Sequence, residues 1–128
     1  YQRRMLPDGI PLHAAILATI AEGSQPGCEV TQLGNTVFFA YYGEDRKEVY
    51  VKALNVDTAR NYLDNAIEFA KRLSESGVER LVSDTYDKSI EQLFDAIGRT
   101  PMAKNWGMKV MESDNNPRVK RMFVVMKD

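Results

Sequence analysis

The stretch KALNVDTARNYL, residues 52 to 63, runs from a strand-like pattern straight into a helical one. A strand that feeds a helix brings the helix's first free N–H groups, and the positive end of its dipole, to the junction. That is the chemistry of an anion cradle, in which glycines let a phosphate reach bare backbone amides. This junction has no glycine, and it carries Asp57 and Thr58 where the helix should begin. Two readings follow. Asp57 caps the helix, a carboxylate cap contributing on the order of 1 kcal/mol, or a phosphate takes its place with Arg60, one turn in, offsetting the like charge.

Other residues with chemical capacity are few. The chain has one histidine, His13, and one cysteine, Cys28, so neither a Ser–His–Asp nor a Cys–His arrangement can be argued, and an internal disulfide is excluded. Nothing therefore implies an oxidising compartment, and a cytoplasmic setting is expected. His13 reads as packed or solvent-facing early in a helix, and Cys28 as a small half-buried residue at a strand start. No protein metal site is expected, because His and Cys ligands are lacking and no carboxylate cluster stands out.

The 128 residues predict one domain over residues 1–128, at 44% hydrophobic and 27% charged the composition of an ordinary globular protein. A net charge of −1 offers no field toward nucleic acid or an anionic membrane. Residues 57 to 95 lean acidic, whereas Arg99, Lys104, Lys109, Arg118, Lys120, Arg121 and Lys127 make the end of the chain basic; this reads as a solvated face or a partner surface. The apolar run from Ile10 to Ala21 is too short to span a bilayer and lacks a cleavage pattern. A start at Tyr1, with no initiator Met, fits a processed product or a piece of a longer chain.

The elements that position the junction follow from period. Ile10 to Glu22 predicts a helix, with Pro11 in its first turn and Gly23 past its end. CEVTQL, TVFFAYY and EVYVKALNV predict an antiparallel meander, turning at Gly34-Asn35 and at Gly43 to Lys47. Then Ala59, Tyr62, Leu63, Ala66, Phe69, Ala70 and Leu73 fall on one helix face, with Gly77 as the stop. Val78 to Ser83 predicts a strand, and Ile90, Leu93, Phe94 and Ile97 a helix face capped by Asp87 or Ser89 and ended by Gly98. GMKVMES and RVKRMFVV predict two strands across the turn at residues 113 to 117. The order α-β-β-β-α-β-α-β-β predicts a mixed α/β (α+β) sheet, with a crossover making one parallel pair.

That order, with SIEQLFDAIG leading to Gly107-Met108 at the head of NWGMKVMES, resembles the GNAT superfamily of acetyl-CoA-dependent N-acetyltransferases. The chain also loosely resembles small GNAT-like proteins of tailed bacteriophages, some of them virion components, which would place it in host cytoplasm or a particle. The resemblance covers the chain from about residue 10; the strand expected ahead of the first helix is short or missing. It implies that acetyl-CoA lies in a gap beside the last meander strand, with its diphosphate in a glycine-rich loop at the next helix. The matching positions are Leu54, Asn55, Val56, Asp57, Thr58 and Ala59, followed by Arg60, and they lack the glycines. The family's late-helix tyrosine, proton donor to the CoA thiolate, aligns with Phe94; Tyr86 is the nearest substitute as a catalytic residue, and otherwise a boundary aromatic. A general base among Glu29, Glu44 and Glu48 is not singled out.

The remaining features suit recognition. Met102, Met108, Met111, Met122 and Met126 gather in the last third, as adaptable core or as a surface. The last strand, if it lies at an edge, invites another chain, and Trp106 is either a partner anchor or a core cover. Phe38, Phe39, Tyr41, Tyr42 and Tyr50 lack the basic interleaving of a nucleic-acid platform. Two functions are therefore expected. One is a GNAT-like domain without acetyl transfer, serving as a binding or structural part with a protein partner or a second copy and no cofactor. The other is an active N-acetyltransferase using acetyl-CoA through an atypical loop.

Overall fold

Apolar and β-branched residues at alternate positions set the sheet of this computed structural model, which describes residue 21, residues 25–112 and residues 115–126. The strands are β1 (Cys28–Leu33), β2 (Thr36–Tyr42), β3 (Glu48–Asn55), β4 (Arg80–Tyr86), β5 (Gly107–Glu112) and β6 (Val119–Val125). They form one six-stranded sheet in the order β1-β2-β3-β4-β6-β5. Every neighbouring pair is antiparallel except β3 and β4, which are parallel. The crossover between that pair carries α1 (Ala59–Glu75), and α2 (Asp87–Gly98) with a short 3-10 turn (Pro101–Ala103) links β4 to β5. The mixed sheet, its meander and its single parallel pair are as the sequence predicts. The expected first helix, with His13, lies outside the described residues apart from Ala21, which is helical.

The helix α1 buries Phe69, Ala70 and Leu73, the last turns of its apolar face. Phe69 stacks on Phe38 of β2 with ring centroids 4.4 Å apart and 8° between planes. The helix closes where the backbone turns left-handed at Gly77, φ +98°. There the Val78 N–H donates to the Leu73 carbonyl at 3.1 Å and the Gly77 N–H to that of Ser74 at 3.2 Å, satisfying carbonyls the helix would leave bare. Val78 itself is buried beneath that closure.

This closure explains one correction. Val78 belongs to the end of the helix, so β4 starts at Arg80 rather than Val78. It also runs past Ser83 to Tyr86, because Asp84, Thr85 and Tyr86 pair with Arg121, Lys120 and Val119 of β6. Tyr86 then stands at the N-cap of α2 with no side-chain capping bond, so the N-cap position falls ahead of Asp87 and Ser89, where the sequence puts it.

The last strand is not an edge. β6 lies between β4 and β5, and the edges are β1 and β5. Met122 and Met126 are buried, Met102 and Met108 pack against the same core, and Met111 alone among the five stands well exposed. Trp106 is also in the core, 9% exposed, which leaves it no anchoring role on the surface. Phe38 and Phe39 are buried and offer no stacking platform.

Candidate functional site at the strand–helix corner

The parallel pairing of β3 with β4 runs from Glu48 opposite Arg80 to Val51 opposite Ser83. Beyond it the strands part company. Lys52 to Asn55 continue against β2, while Asp84 to Tyr86 continue against β6. The sheet forks here, as the GNAT resemblance implies. At the root of the fork the Ser83 hydroxyl donates to the Val51 carbonyl at 2.9 Å.

Asp84 sits one residue beyond that root. Its carboxylate accepts the Tyr50 hydroxyl at 2.8 Å and two bonds from Arg121, at 2.9 and 3.1 Å. The Arg121 guanidinium, helped by Tyr50, holds the Asp84 carboxyl below the usual carboxylate range despite partial burial. A depressed carboxylate contributes stability above its unfolded pKa and loses it as pH falls through the folded value. Asp84→Asn should therefore be less stable than the parent at pH 7, and the difference should shrink as pH drops below about 4, where the unfolded carboxylate titrates. Denaturant unfolding at a series of pH values measures this; a difference that does not vary with pH would rule out the charged pairing.

The corner itself is built from three directions. Thr58, in extended backbone, is the N-cap of α1, and its hydroxyl accepts the Asn61 N–H at 3.2 Å. Asp57 is thus not the N-cap, as one sequence reading had it, but the residue before. One of its carboxylate oxygens accepts the Thr58 N–H at 2.9 Å and the Asn61 side-chain amide at 2.8 Å. The other accepts the Asn35 N–H at 3.3 Å, from the turn between β1 and β2. These donors, Asn61 foremost, hold the Asp57 carboxyl below its ordinary range, so it stays anionic.

The turn is locked onto the corner by further bonds. The Val56 N–H donates to the Asn35 carbonyl at 3.0 Å. Asn55 accepts the Asp57 N–H and donates to the Asp57 carbonyl, both at 3.0 Å. Thr36, with no exposed surface, donates its hydroxyl to Asn55 at 2.8 Å and accepts from Asn65 at 3.0 Å. Gly34 makes the approach possible. Its φ is +56°, and an added Cβ would lie 3.1 Å from the Asn65 amide nitrogen and 3.4 Å from an Asp57 oxygen.

The structure thus gathers the predicted residues Leu54 to Arg60 at one corner, but it seats a hairpin turn and a carboxylate where a diphosphate would need free amides. Of the first N–H groups of α1, those of Ala59 and Arg60 alone find no acceptor among the described residues, and they follow directly on the Asp57 carboxylate in the chain. The residues present do not fit a diphosphate. Sequence reasoning missed Asn35, Thr36, Asn61 and Asn65 as members of this network; the spacing of Asn61 and Asn65 behind Asp57, each one turn on, was the available signal.

The remaining candidates lie apart. Tyr86, at the end of β4 on the far arm of the fork, is 61% exposed, and it is not brought to the corner residues by any described bond. Phe94 is half-buried against the core. Gly107 and Met108 open β5 at the sheet edge, and Cys28 is half-buried at the start of β1. No group of three or more metal-ligating side chains occurs among the described residues, and none of their helices is long and apolar enough to cross a membrane.

No family model matches the sequence, and no curated protein matches it. Among solved structures the chain is similar to one provisionally described as a phosphinothricin N-acetyltransferase, at 12% identity and a TM-score of 0.43, over 89% of this chain and 78% of that one. So distant a likeness bears on neither fold nor chemistry, which rest on the strand order and side chains described above.

Proposed function

We propose that this chain is a GNAT-like frame that has lost acetyl transfer and serves as a binding or structural component. The forked parallel pair supports the frame. The observation that carries the loss is Asp57, whose carboxylate takes the Thr58 and Asn35 amides and which a hydrogen-bonded turn holds in place. An arriving diphosphate must break those bonds and then sit beside a buttressed negative charge. Phe94, with no proton to give, and Tyr86, out at the strand end, add to the same reading. The partner is a protein or a second copy of the chain.

Thermal unfolding with acetyl-CoA tests it. A ligand at one hundred times its Kd stabilises the folded state by about 2.7 kcal/mol. For a chain of this size that raises Tm by roughly 10 °C. The expected result is no shift at millimolar acetyl-CoA. A saturable shift of that size would restore the other reading, an active N-acetyltransferase with an atypical loop. Light scattering after size exclusion tests the partner claim: a strict monomer that co-purifies with nothing counts against it.

A further inference from the structure

Trp106 follows the 3-10 turn with its ring in the core, and its indole N–H meets no acceptor among the described residues. A buried donor left unsatisfied forfeits its bond to water with nothing in return, so in folded chains such groups nearly always have a partner, ordered water included. The same residue lines a cavity of about 40 Å³ between α1, α2 and the sheet, at the root of the fork.

The chemistry of the wall narrows the occupant. Among the described residues no charged side chain lines the cavity, so neither an ion nor a phosphate is matched there. Apart from the indole, its polar side chains among the described residues are Ser83 and Tyr62. The Ser83 hydroxyl has given its proton to the Val51 carbonyl, which leaves its lone pairs to accept. Burial raises the Tyr62 hydroxyl above the ordinary tyrosine range, so it stays neutral. A water needs only about 10–15 Å³ of such space, and its share of liquid volume is about 30 Å³. The cavity accordingly suits ordered water or an uncharged molecule of a few heavy atoms, with Met122 and Met126 on the wall able to give slightly.

We infer that this cavity is a binding site for one small, neutral hydrogen-bond acceptor seated on the Trp106 N–H: an ordered water, or a small carbonyl compound of the size of formamide. The inference is independent of the reading above, since neither acetyl-CoA nor its exclusion enters it.

Trp106 is the only tryptophan, so its indole N–H gives a single resonance in a ¹⁵N-labelled sample. With the intact protein, that proton should exchange slowly and show a cross-relaxation peak to a long-lived water. Formamide is then titrated in. A peak that persists unchanged assigns the acceptor as water; a saturable downfield movement of the indole proton with loss of the water peak assigns the carbonyl. An indole proton with no water contact and no response to formamide would overturn the site. Ala66→Val adds bulk to the wall from α1 and should abolish whichever signal is present, with far-UV circular dichroism unchanged. Survival of the signal in that folded variant would also overturn it, because the acceptor would then sit elsewhere.

Discussion

Phe69→Ala should destabilise the protein by about 3–5 kcal/mol, the cost of removing a fully packed aromatic ring from a core. Phe69 is 5% exposed and lies flat on Phe38, so the loss has both a transfer part and a cavity part. The surroundings are poorly placed to collapse into the gap. Phe38 is held by β2 within the sheet, and Leu73, buried one turn further along α1, is pinned by the Schellman closure at Gly77. Folded domains are typically stable by only about 5–15 kcal/mol, so the variant should keep a thin margin. Urea unfolding gives the measurement. With a slope of about 1–3 kcal/mol per molar, the midpoint should fall by roughly 2 M while the slope is unchanged. A loss below about 1 kcal/mol would mean that the ring does not pack as described. Phe69→Leu, which keeps most of the volume, should cost about a third as much.

How much of this could be read from the sequence depends on the range over which each feature is written. Strands β1 to β3 and helices α1 and α2 were legible because a period of two or of 3.6 is repeated within each segment, and each repeat is set by the side chains' own directions. The boundary of β4 was not, because Val78 looks like a strand residue and is claimed by a helix closure, while Asp84 to Tyr86 look like a loop and are claimed by β6. Both outcomes are decided by partners outside the segment. The place of β6 inside the sheet was also out of reach: its run of apolar residues is the same whether one neighbour or two flank it. At the corner, composition singles out Asp57 but gives it the N-cap, a post that Thr58 holds. Thr58 and Asp57 both cap well, and the choice between them is made by Asn35, which lies 22 residues earlier in the chain. The clamp of Tyr50 and Arg121 on Asp84 has the same character, with contacts 34 and 37 residues apart that no local pattern announces.

Thr36→Val should cost about 2 kcal/mol, near the middle of the range for orphaning buried hydrogen-bonding groups, although valine matches threonine in shape. The position has no exposed surface, so water cannot replace the hydroxyl there. Its loss removes a donor from Asn55 and an acceptor from Asn65. Asn55 still receives the Asp57 N–H, but Asn65 loses the bond that ties α1 to the hairpin. The effect should therefore be uneven. Amide exchange should quicken most at Asn35 and Asp57, whose N–H bonds depend on the turn staying docked, and less along the paired part of β3 and β4. Thr36→Ser separates the hydroxyl from the methyl. It keeps both bonds and should lose only about 0.8 kcal/mol for the missing methyl group. If Thr36→Ser and Thr36→Val were equally damaging, the methyl's packing would be what matters and the network would be incidental. If valine alone loosens the turn, the Asp57 carboxylate owes its hold on the corner to a buried hydroxyl 21 residues away in the chain, and the proposed exclusion of a diphosphate would rest on the hairpin as much as on the helix end.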